Sequence, residues 1–195
     1  MKKYILGLGF LAFMASCGSD TSSNTQDEVV EEQVETLAYD IDFQWTAFKT
    51  AERVGVNGTF DKIEVLQYKQ EGVNATEKIS DSKIQIEGGS VNTDDPARDH
   101  TLKTFFFDHL SGPIIANFGT LADGIAPVTL EMNDYKVEKQ FEYDAAENEI
   151  TIKGSIDIIQ DFHGQNAFDT LHEQCYDLHE GVTGTDVEIK VTVRF

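Results

Sequence analysis

The sequence is poor in proline, tryptophan, cysteine and basic residues, and these shortages limit what the protein is. Three prolines and no glycine repeat exclude a collagen-like or proline-rich fibrous chain. Fifteen Lys and Arg residues stand against 35 Asp and Glu residues, for a net charge of -20. Because contacts to phosphates need clustered Lys and Arg, nucleic acid is not expected as a partner. Phenylalanine, by contrast, is abundant, and 13 Phe against one Trp indicate a core or cavity built from aromatic rings.

The sequence also has no apolar run long enough for a membrane-spanning helix. Residues 4–14 are apolar or small, whereas a span takes about 20 residues. This run follows Lys2 and Lys3, so we predict a secretory signal peptide over residues 1–16. It ends in Met14-Ala15-Ser16-Cys17, which resembles the lipobox of bacterial lipoproteins, and this resemblance implies lipidation of Cys17. The alternative is a plain signal peptide with a cysteine at that place.

Residues 17–38 carry polar and acidic side chains and no basic ones, which predicts a lipidated, flexible acidic tether. Loss of the signal peptide removes two lysines, so 13 basic residues remain against 35 acidic ones, a net charge of -22. We expect a protein held at the cell envelope by its N-terminal lipid anchor, in the outer membrane, and facing the periplasm or the cell surface. If Cys17 carries lipid, Cys175 has no partner, and no disulfide holds the fold.

From Tyr39 onward, apolar and polar residues alternate along most of the chain. Such alternation gives each strand one buried and one solvated face, which is typical of antiparallel sheets. The pattern predicts an all-β domain over residues 39–195, an antiparallel lipocalin-like β-barrel of about eight strands. The alternating segments are residues 39–47, 54–60, 63–65, 84–86, 128–132, 137–143, 150–158 and 187–195.

Two segments depart from this alternation and predict one or two short helices. Residues 94–103 begin like a helix, because Asp95 is a suitable cap and Pro96 fits the first turn. Residues 166–180 place Phe168, Leu171, Cys175 and Leu178 at helical spacing, which predicts a short helix or an ordered loop before the last strand.

Four groups of residues in this domain match the motifs of one family. The first leads from Trp45, Phe48 and Lys49 into Val-Gly-Val-Asn-Gly-Thr-Phe at 54–60. The second and most specific contains Gly-Ser-Val-Asn-Thr at 89–93, Arg98-Asp99, Leu102 and Phe106-Phe107-Asp108. The third is Pro-Ile-Ile-Ala-Asn-Phe at 113–118, and the fourth is Asp-Phe-His-Gly at 161–164 with the last alternating strand. In these groups the chain resembles the YceI-like family of secreted, lipocalin-like barrels.

The resemblance implies a protein that binds an apolar lipid, isoprenoid or quinone-like, inside the barrel, and that sequesters or carries it. Such a protein is not an enzyme and requires no cofactor apart from the bound lipid. The alternative is that the inward rings fill a solid core. The sequence leaves open which lipid binds and whether the chain forms a homodimer. The side chains expected to contact the lipid are Phe43, Trp45, Phe60, Phe105, Phe106, Phe118, Phe141, Tyr143 and Ile152.

Two features near the predicted helices have both a structural and a functional interpretation. Because Phe105, Phe106 and Phe107 are consecutive, at least one of them faces away from the interior. Arg98 and Asp99 either lie at the barrel mouth near a ligand headgroup or form a charge pair that ties the helix to a strand end. We favour the structural role for this pair.

A metal-binding envelope protein is the alternative function. His172, Cys175 and His179 share one helix face at the spacing i, i+3, i+7, and imidazole and thiolate groups bind zinc or copper. A solvent-facing helix with a half-buried thiol is the simpler interpretation. The sequence shows no serine nucleophile elbow, no dinucleotide-binding glycine motif and no P-loop, so it gives no reason to expect catalysis.

Overall fold

The structure is a computed structural model, and it describes residues 39–195. The predicted signal peptide, residues 1–16, and the whole predicted tether, residues 17–38 with Cys17, lie outside the described residues. Residues 39–195 form one curled antiparallel sheet. Its ten strands are β1 (Asp40–Lys49), β2 (Val54–Phe60), β3 (Ile63–Gln67), β4 (Lys83–Ile86), β5 (Val91–Asn92), β6 (Ile114–Phe118), β7 (Ile125–Met132), β8 (Tyr135–Ala145), β9 (Glu149–Asp157) and β10 (Thr183–Arg194).

The strands follow the order β3-β4-β6-β7-β8-β9-β10-β1-β2-β5, and each neighbouring pair is antiparallel. The prediction of an antiparallel all-β domain is therefore confirmed. The described residues contain ten strands where the alternation indicated about eight. The two additional strands are β5, which has only two residues, and β6, which the Pro-Ile-Ile-Ala-Asn-Phe motif had marked.

The two ends of the sheet are connected through the chain itself, and not by hydrogen bonds between two long edge strands. Strand β2 ends at Phe60 and β3 begins at Ile63, although these strands lie near opposite ends of the order. Hydrogen bonding continues around the bend, where Asp61 N–H donates to the Ser90 carbonyl (2.9 Å) and Glu87 N–H to the Lys62 carbonyl (3.1 Å). The end strands β3 and β5 are short, five and two residues, so little strand edge is left for another chain to pair with.

Four α-helices accompany the sheet in the described residues: α1 (Ala75–Ile79), α2 (Pro96–Phe105), α3 (Ile158–Phe162) and α4 (Gln165–Cys175). Both predicted helical segments are confirmed. The Asp95 carboxylate accepts from the N–H groups of Ala97 (3.1 Å) and Arg98 (3.2 Å) and so caps α2. None of the helices in residues 39–195 has the length and apolar character that crossing a membrane requires.

Several observed strands extend beyond the predicted segments by a few residues, and one boundary, the end of β9, falls earlier for a clear reason. Alternation assigned Ile158 to the strand at 150–158, but β9 ends at Asp157 and Ile158 begins α3. The reason is local, since the Asp157 carboxylate accepts from the N–H groups of Ile159 (3.0 Å) and Gln160 (2.8 Å). These are the hydrogen bonds of a helix cap, and they end the strand there.

Candidate functional site

The inside of the curled sheet contains an apolar cavity of about 140 Å³, which we call the chamber. Its wall comes from seven strands and from α2, α3 and α4, and among the side chains of the described residues that line it only the Thr183 hydroxyl and the Trp45 indole N–H are polar. The wall residues are Phe43, Trp45, Ala47, Phe60, Ile86, Leu102, Phe106, Phe107, Ile114, Met132, Ile156, Ile158, Phe168, Leu171, Thr183, Gly184, Val187 and Ile189.

Aromatic rings form a connected part of this wall. The Phe60 ring lies 5.7 Å from the Phe43 ring and 5.6 Å from the Phe107 ring, centroid to centroid. Phe106 and Phe107 meet edge to face at 5.0 Å. Trp45 is buried, and its indole N–H donates to the Thr59 carbonyl at 3.4 Å. Its polar atom is therefore paired, and its apolar ring lines the chamber.

The opposite end of the domain is packed solid by comparison. The gap there measures about 30 Å³ and is surrounded by side chains of β1, β3, β4, β6, β9 and β10, with Ile79 of α1 beside them. Phe118 and Ile152 belong to this packed end, and both are buried. The interior is therefore divided into an open half under α2 and α4 and a filled half near α1.

A second cavity, of about 360 Å³, lies between β1, α2 and the segment from α4 to β10, and we call it the vestibule. Chamber and vestibule share the wall residues Trp45, Ala47, Leu102, Leu171 and Thr183. Outward of this shared wall the vestibule has a polar rim, made by Lys49, Asp95, Arg98, Thr101 and His179. An apolar interior with a polar entrance is the arrangement expected for an amphiphilic small molecule.

Two histidines of the vestibule region converge on one hydroxyl. The Nδ1 atoms of His172 and His179 lie 3.0 Å and 2.9 Å from Thr183 Oγ1. Burial, together with the positive charge of Lys49 and the neighbouring His172, lowers the pKa of His179. Burial raises the pKa of the Cys175 thiol, which favours its protonated form.

This arrangement does not favour the metal-site hypothesis for His172, Cys175 and His179. Binding through Cys175 would require a thiolate, whereas burial favours the protonated thiol; each histidine has Nδ1 beside Thr183 Oγ1 and a second nitrogen besides. Within residues 39–195, no group of three or more His, Cys, Asp or Glu side chains is placed to hold a metal ion.

The structure distributes the nine side chains expected to contact lipid over several places. Four of them, Phe43, Trp45, Phe60 and Phe106, are brought together in the chamber wall. Phe118 and Ile152 lie in the packed end, and Phe141 is buried against Gly154. Tyr143 is half-buried against the core, and Phe105 is half-buried outside both the chamber wall and the core cluster.

Several chamber residues were missing from the expected set. Phe107 lines the chamber in place of Phe105, because the chain leaves α2 at this point and enters a 3-10 turn at Phe107–His109. Phe168 and Leu171 come from α4, where their spacing had shown a helix but not the direction of its apolar face. Alternation identifies strand faces, and it carries no information on which helix covers them.

The Arg98-Asp99 pair separates into two roles. Asp99 Oδ1 accepts from the Thr93 N–H (2.8 Å) and from the Thr93 hydroxyl (2.6 Å), and so it ties α2 to the end of β5. The structural interpretation expected such a tie, but through a charge pair between Arg98 and Asp99, which the described residues do not form. Arg98 does not share this tie. Its guanidinium lies 3.3 Å from the Asp95 carboxylate and borders the vestibule.

No protein-family model matches the chain, and no curated protein matches it significantly. Solved structures do resemble it. A polyisoprenoid binding domain from Saccharophagus degradans, implicated in plant cell wall breakdown, has a TM-score of 0.54 and 15% identity, over 80% of this chain and 96% of that one. Burkholderia cenocepacia BcnA has a TM-score of 0.52 and 14% identity, over 79% of this chain and 98% of that one.

A YceI protein from Campylobacter jejuni has a TM-score of 0.50 and 17% identity, and the match covers 73% of this chain and 85% of the Campylobacter chain. The likeness extends over most of residues 39–195 and over nearly the whole of the first two structures. At identities of 14–17% it concerns the fold. The chain therefore has the fold of the YceI-like proteins whose motifs its sequence resembles.

Proposed function

We propose that this protein binds an apolar lipid of isoprenoid or quinone type, with the lipid tail in the chamber. The observation that carries the proposal is the composition of the chamber wall, where the described lining residues are apolar apart from the Thr183 hydroxyl and the Trp45 indole N–H. Such a wall offers a polar ligand almost no hydrogen-bond partners. An apolar tail gains about 25 cal/mol for each Å² of apolar surface removed from water. The fold shared with a polyisoprenoid binding domain supports this choice of ligand.

The size of the chamber determines how such a lipid fits. An apolar cavity of about 150 Å³ accommodates a molecule such as benzene, and the chamber measures about 140 Å³. One end of a tail therefore fills the chamber, and the rest extends through the shared wall into the vestibule of about 360 Å³. A longer tail requires side chains to move, and Met132, unbranched and flexible, is suited to this.

The mechanism requires no chemical step. The chamber removes the tail from water, while α2 and α4 flank the route through which it enters. We further propose that the protein performs this role at the cell envelope, as a carrier or a sequestering protein anchored through acylated Cys17. The lipobox-like sequence before Cys17 and the acidic residues after it support the anchoring.

Fluorescence of Trp45 tests the binding directly. It is the one tryptophan of the sequence, and it borders both chamber and vestibule. Titration of lipid-free protein with farnesol, and separately with a short-chain menaquinone, should change its emission saturably at one ligand per chain. Native mass spectrometry of protein isolated gently from its host should show a bound lipid. Absence of any bound lipid together with absence of uptake would overturn the proposal.

Replacement of two alanines by leucine, one in the shared wall and one on the surface, tests where the ligand binds. Ala47 lies in the shared wall, whereas Ala51 is exposed in the turn after β1. Ala47→Leu should fill the passage between the cavities and weaken farnesol binding by about tenfold, which is the effect of roughly 1.4 kcal/mol. Ala51→Leu adds the same atoms to the surface and should leave binding unchanged. Equal binding by both variants would place the ligand elsewhere.

The anchor has its own test. Cys17→Ser should shift the protein from the membrane fraction to the soluble fraction of host cells, and should abolish labelling by a fatty-acid probe. Farnesol binding should not change, because residues 39–195 contain both cavities. Membrane association that survives the substitution would contradict the anchoring and leave the lipid site standing.

A further inference from the structure

The vestibule differs in charge from the rest of the protein. The chain carries 35 acidic residues against 15 basic ones. Around the vestibule the balance is reversed, because its charged rim consists of Lys49, Arg98 and Asp95. The single acid is already engaged, since the Asp95 carboxylate caps α2 and lies 3.3 Å from the Arg98 guanidinium. The entrance therefore has an excess of positive charge in a strongly acidic protein.

Lys49 is the source of this excess. It is half-buried at the end of β1, after a register shift between Ala47 and Lys49 in the pairing with β10. Nine ion pairs occur in the described part of the chain, and Lys49 takes part in none of them. The Lys49 ammonium group therefore has no opposite charge paired with it in the described residues, and a bound anion would find an uncompensated positive charge there.

The groups around Lys49 fit a ligand that is anionic at one end only. On the inner side, Leu102 and Leu171 lead from the vestibule into the chamber. On the outer side lie the Arg98 guanidinium and the imidazole of His179, which is close enough to Lys49 for the charge of the lysine to affect it. Lys49 and Arg98 also border an open polar groove that contains Asp42 and Asp94, but neither acid forms an ion pair with Lys49.

We propose that the vestibule binds a compact anionic headgroup, a carboxylate or a phosphate, through Lys49, with Arg98 beside it. This proposal rests on the proposed lipid binding and makes it more specific, since the ligand becomes an anionic amphiphile with a single apolar tail. One tail follows from the chamber, whose volume of about 140 Å³ leaves no room for a second. A neutral headgroup would leave the Lys49 charge uncompensated.

Three ligands with the same tail test the headgroup. Farnesol, farnesoic acid and farnesyl phosphate are titrated into the lipid-free protein, with Trp45 emission as the signal. The acid and the phosphate should bind about tenfold more tightly than the alcohol, because a charge-assisted hydrogen bond is stronger than a neutral one. Added salt should weaken the two anions and not the alcohol. Preference for one anion over the other identifies the headgroup.

Substitutions at two lysines assign the effect to Lys49. Lys49→Met should bind all three ligands about equally, and Lys49→Arg should retain the preference for anions. Lys190→Met is the matched control, because Lys190 is an exposed strand lysine that also forms no ion pair in the described residues. It should behave like the wild type.

The outcomes separate this proposal from the one it rests on. Equal affinity of the wild type for alcohol, acid and phosphate would overturn the anion site and leave lipid binding intact, and so would a preference that persists in Lys49→Met. Failure of all three ligands to bind would overturn both. If Lys49→Met does not fold, the comparison of the three ligands and its salt dependence in the wild type still test whether the vestibule prefers an anionic headgroup.

Discussion

The aromatic ring of Phe141 occupies the space above Gly154, where any other residue would place its Cβ. An added Cβ at Gly154 would overlap three ring atoms of Phe141, and the ring itself is buried, 4% exposed. Phe141 lies on β8 and Gly154 on the neighbouring strand β9. The glycine therefore allows a large ring to lie flat against the sheet at this position.

Substitution at Gly154 should destabilise the fold. Gly154→Ala forces the Phe141 ring out of its place, and overpacking of this kind costs roughly 1–3 kcal/mol. The free energy of unfolding from urea denaturation measures the loss. Gly89→Ala is the control, because an added Cβ there comes no closer than 3.6 Å to Lys103, and it should change the stability little. Equal losses in both variants would contradict the packing argument.

The two halves of the interior should respond differently to the same substitution. Phe118→Leu, at the packed end, should cost roughly 1–2 kcal/mol of stability and leave farnesol affinity unchanged. Phe107→Leu, in the chamber wall, should enlarge the chamber and strengthen farnesol binding by about threefold. Thermal unfolding measures the change in stability, and titration with farnesol, followed by Trp45 emission, measures the change in affinity. A change in affinity at Phe118 that equals the one at Phe107 would show that the halves are not separate.

The hydrogen bonds from Thr93 to Asp99 should stabilise α2. Asp99→Ala removes the acceptor of both the Thr93 N–H and the Thr93 hydroxyl, so we expect a loss of roughly 1–3 kcal/mol. Asp99→Asn keeps an oxygen acceptor and should retain much of the stability. Asp108→Ala, at an exposed site, is the control. Stability that is unchanged in Asp99→Ala would mean that the tie does not hold the helix.

The stability of the fold should decrease on acidification partly because of His179. Burial, then Lys49, then His172 lower the pKa of His179 in the folded protein below its ordinary value of about 6.5. The unfolded chain therefore takes up this proton at a higher pH than the folded one. The contribution of His179 to stability is complete above the unfolded pKa and decreases as pH falls below about 6.5.

The groups that face this histidine are Lys49, Cys175, His172 and Thr183, with Asp95 and Arg98 across the vestibule. Urea denaturation at neutral pH and at about pH 5.5 should therefore show a smaller loss of stability in His179→Gln than in the wild type. His100→Gln, at an exposed position, should lose as much as the wild type. An identical loss in all three proteins would contradict the assignment to His179.

The strands could be predicted because their residues alternate strictly. In β10, Val187, Ile189, Val191 and Val193 face the interior, and the same alternation made β1 and β9 recognisable. The two-residue turn between β7 and β8 also suits its residues, because Asn133 and Asp134 adopt positive φ values, 54° and 62°, more readily than most residues do. Such signals are local, and sequence alone reveals them.

The division of the interior could not be predicted in this way. Phe118 and Phe43 are both inward aromatic residues on strands, yet one fills the packed end and the other lines the chamber. Which of the two borders the chamber depends on how α2 and α4 pack against one end of the sheet. Nothing in the sequence indicated the role that we propose for Lys49 either, because a lysine at a strand end is ordinary until its neighbours in space are known.

The position of β10 has a consequence for biosynthesis. This strand follows the other nine described strands in the sequence, yet it lies between β9 and β1 and pairs with both, from Asp40 opposite Arg194 onward. Until Thr183–Arg194 has been made, no strand pairing joins β1, β2 and β5 to the six strands β3, β4, β6, β7, β8 and β9. The sheet therefore cannot be completed before these 12 residues are available, and the apolar inner faces of its two parts stay apart until then.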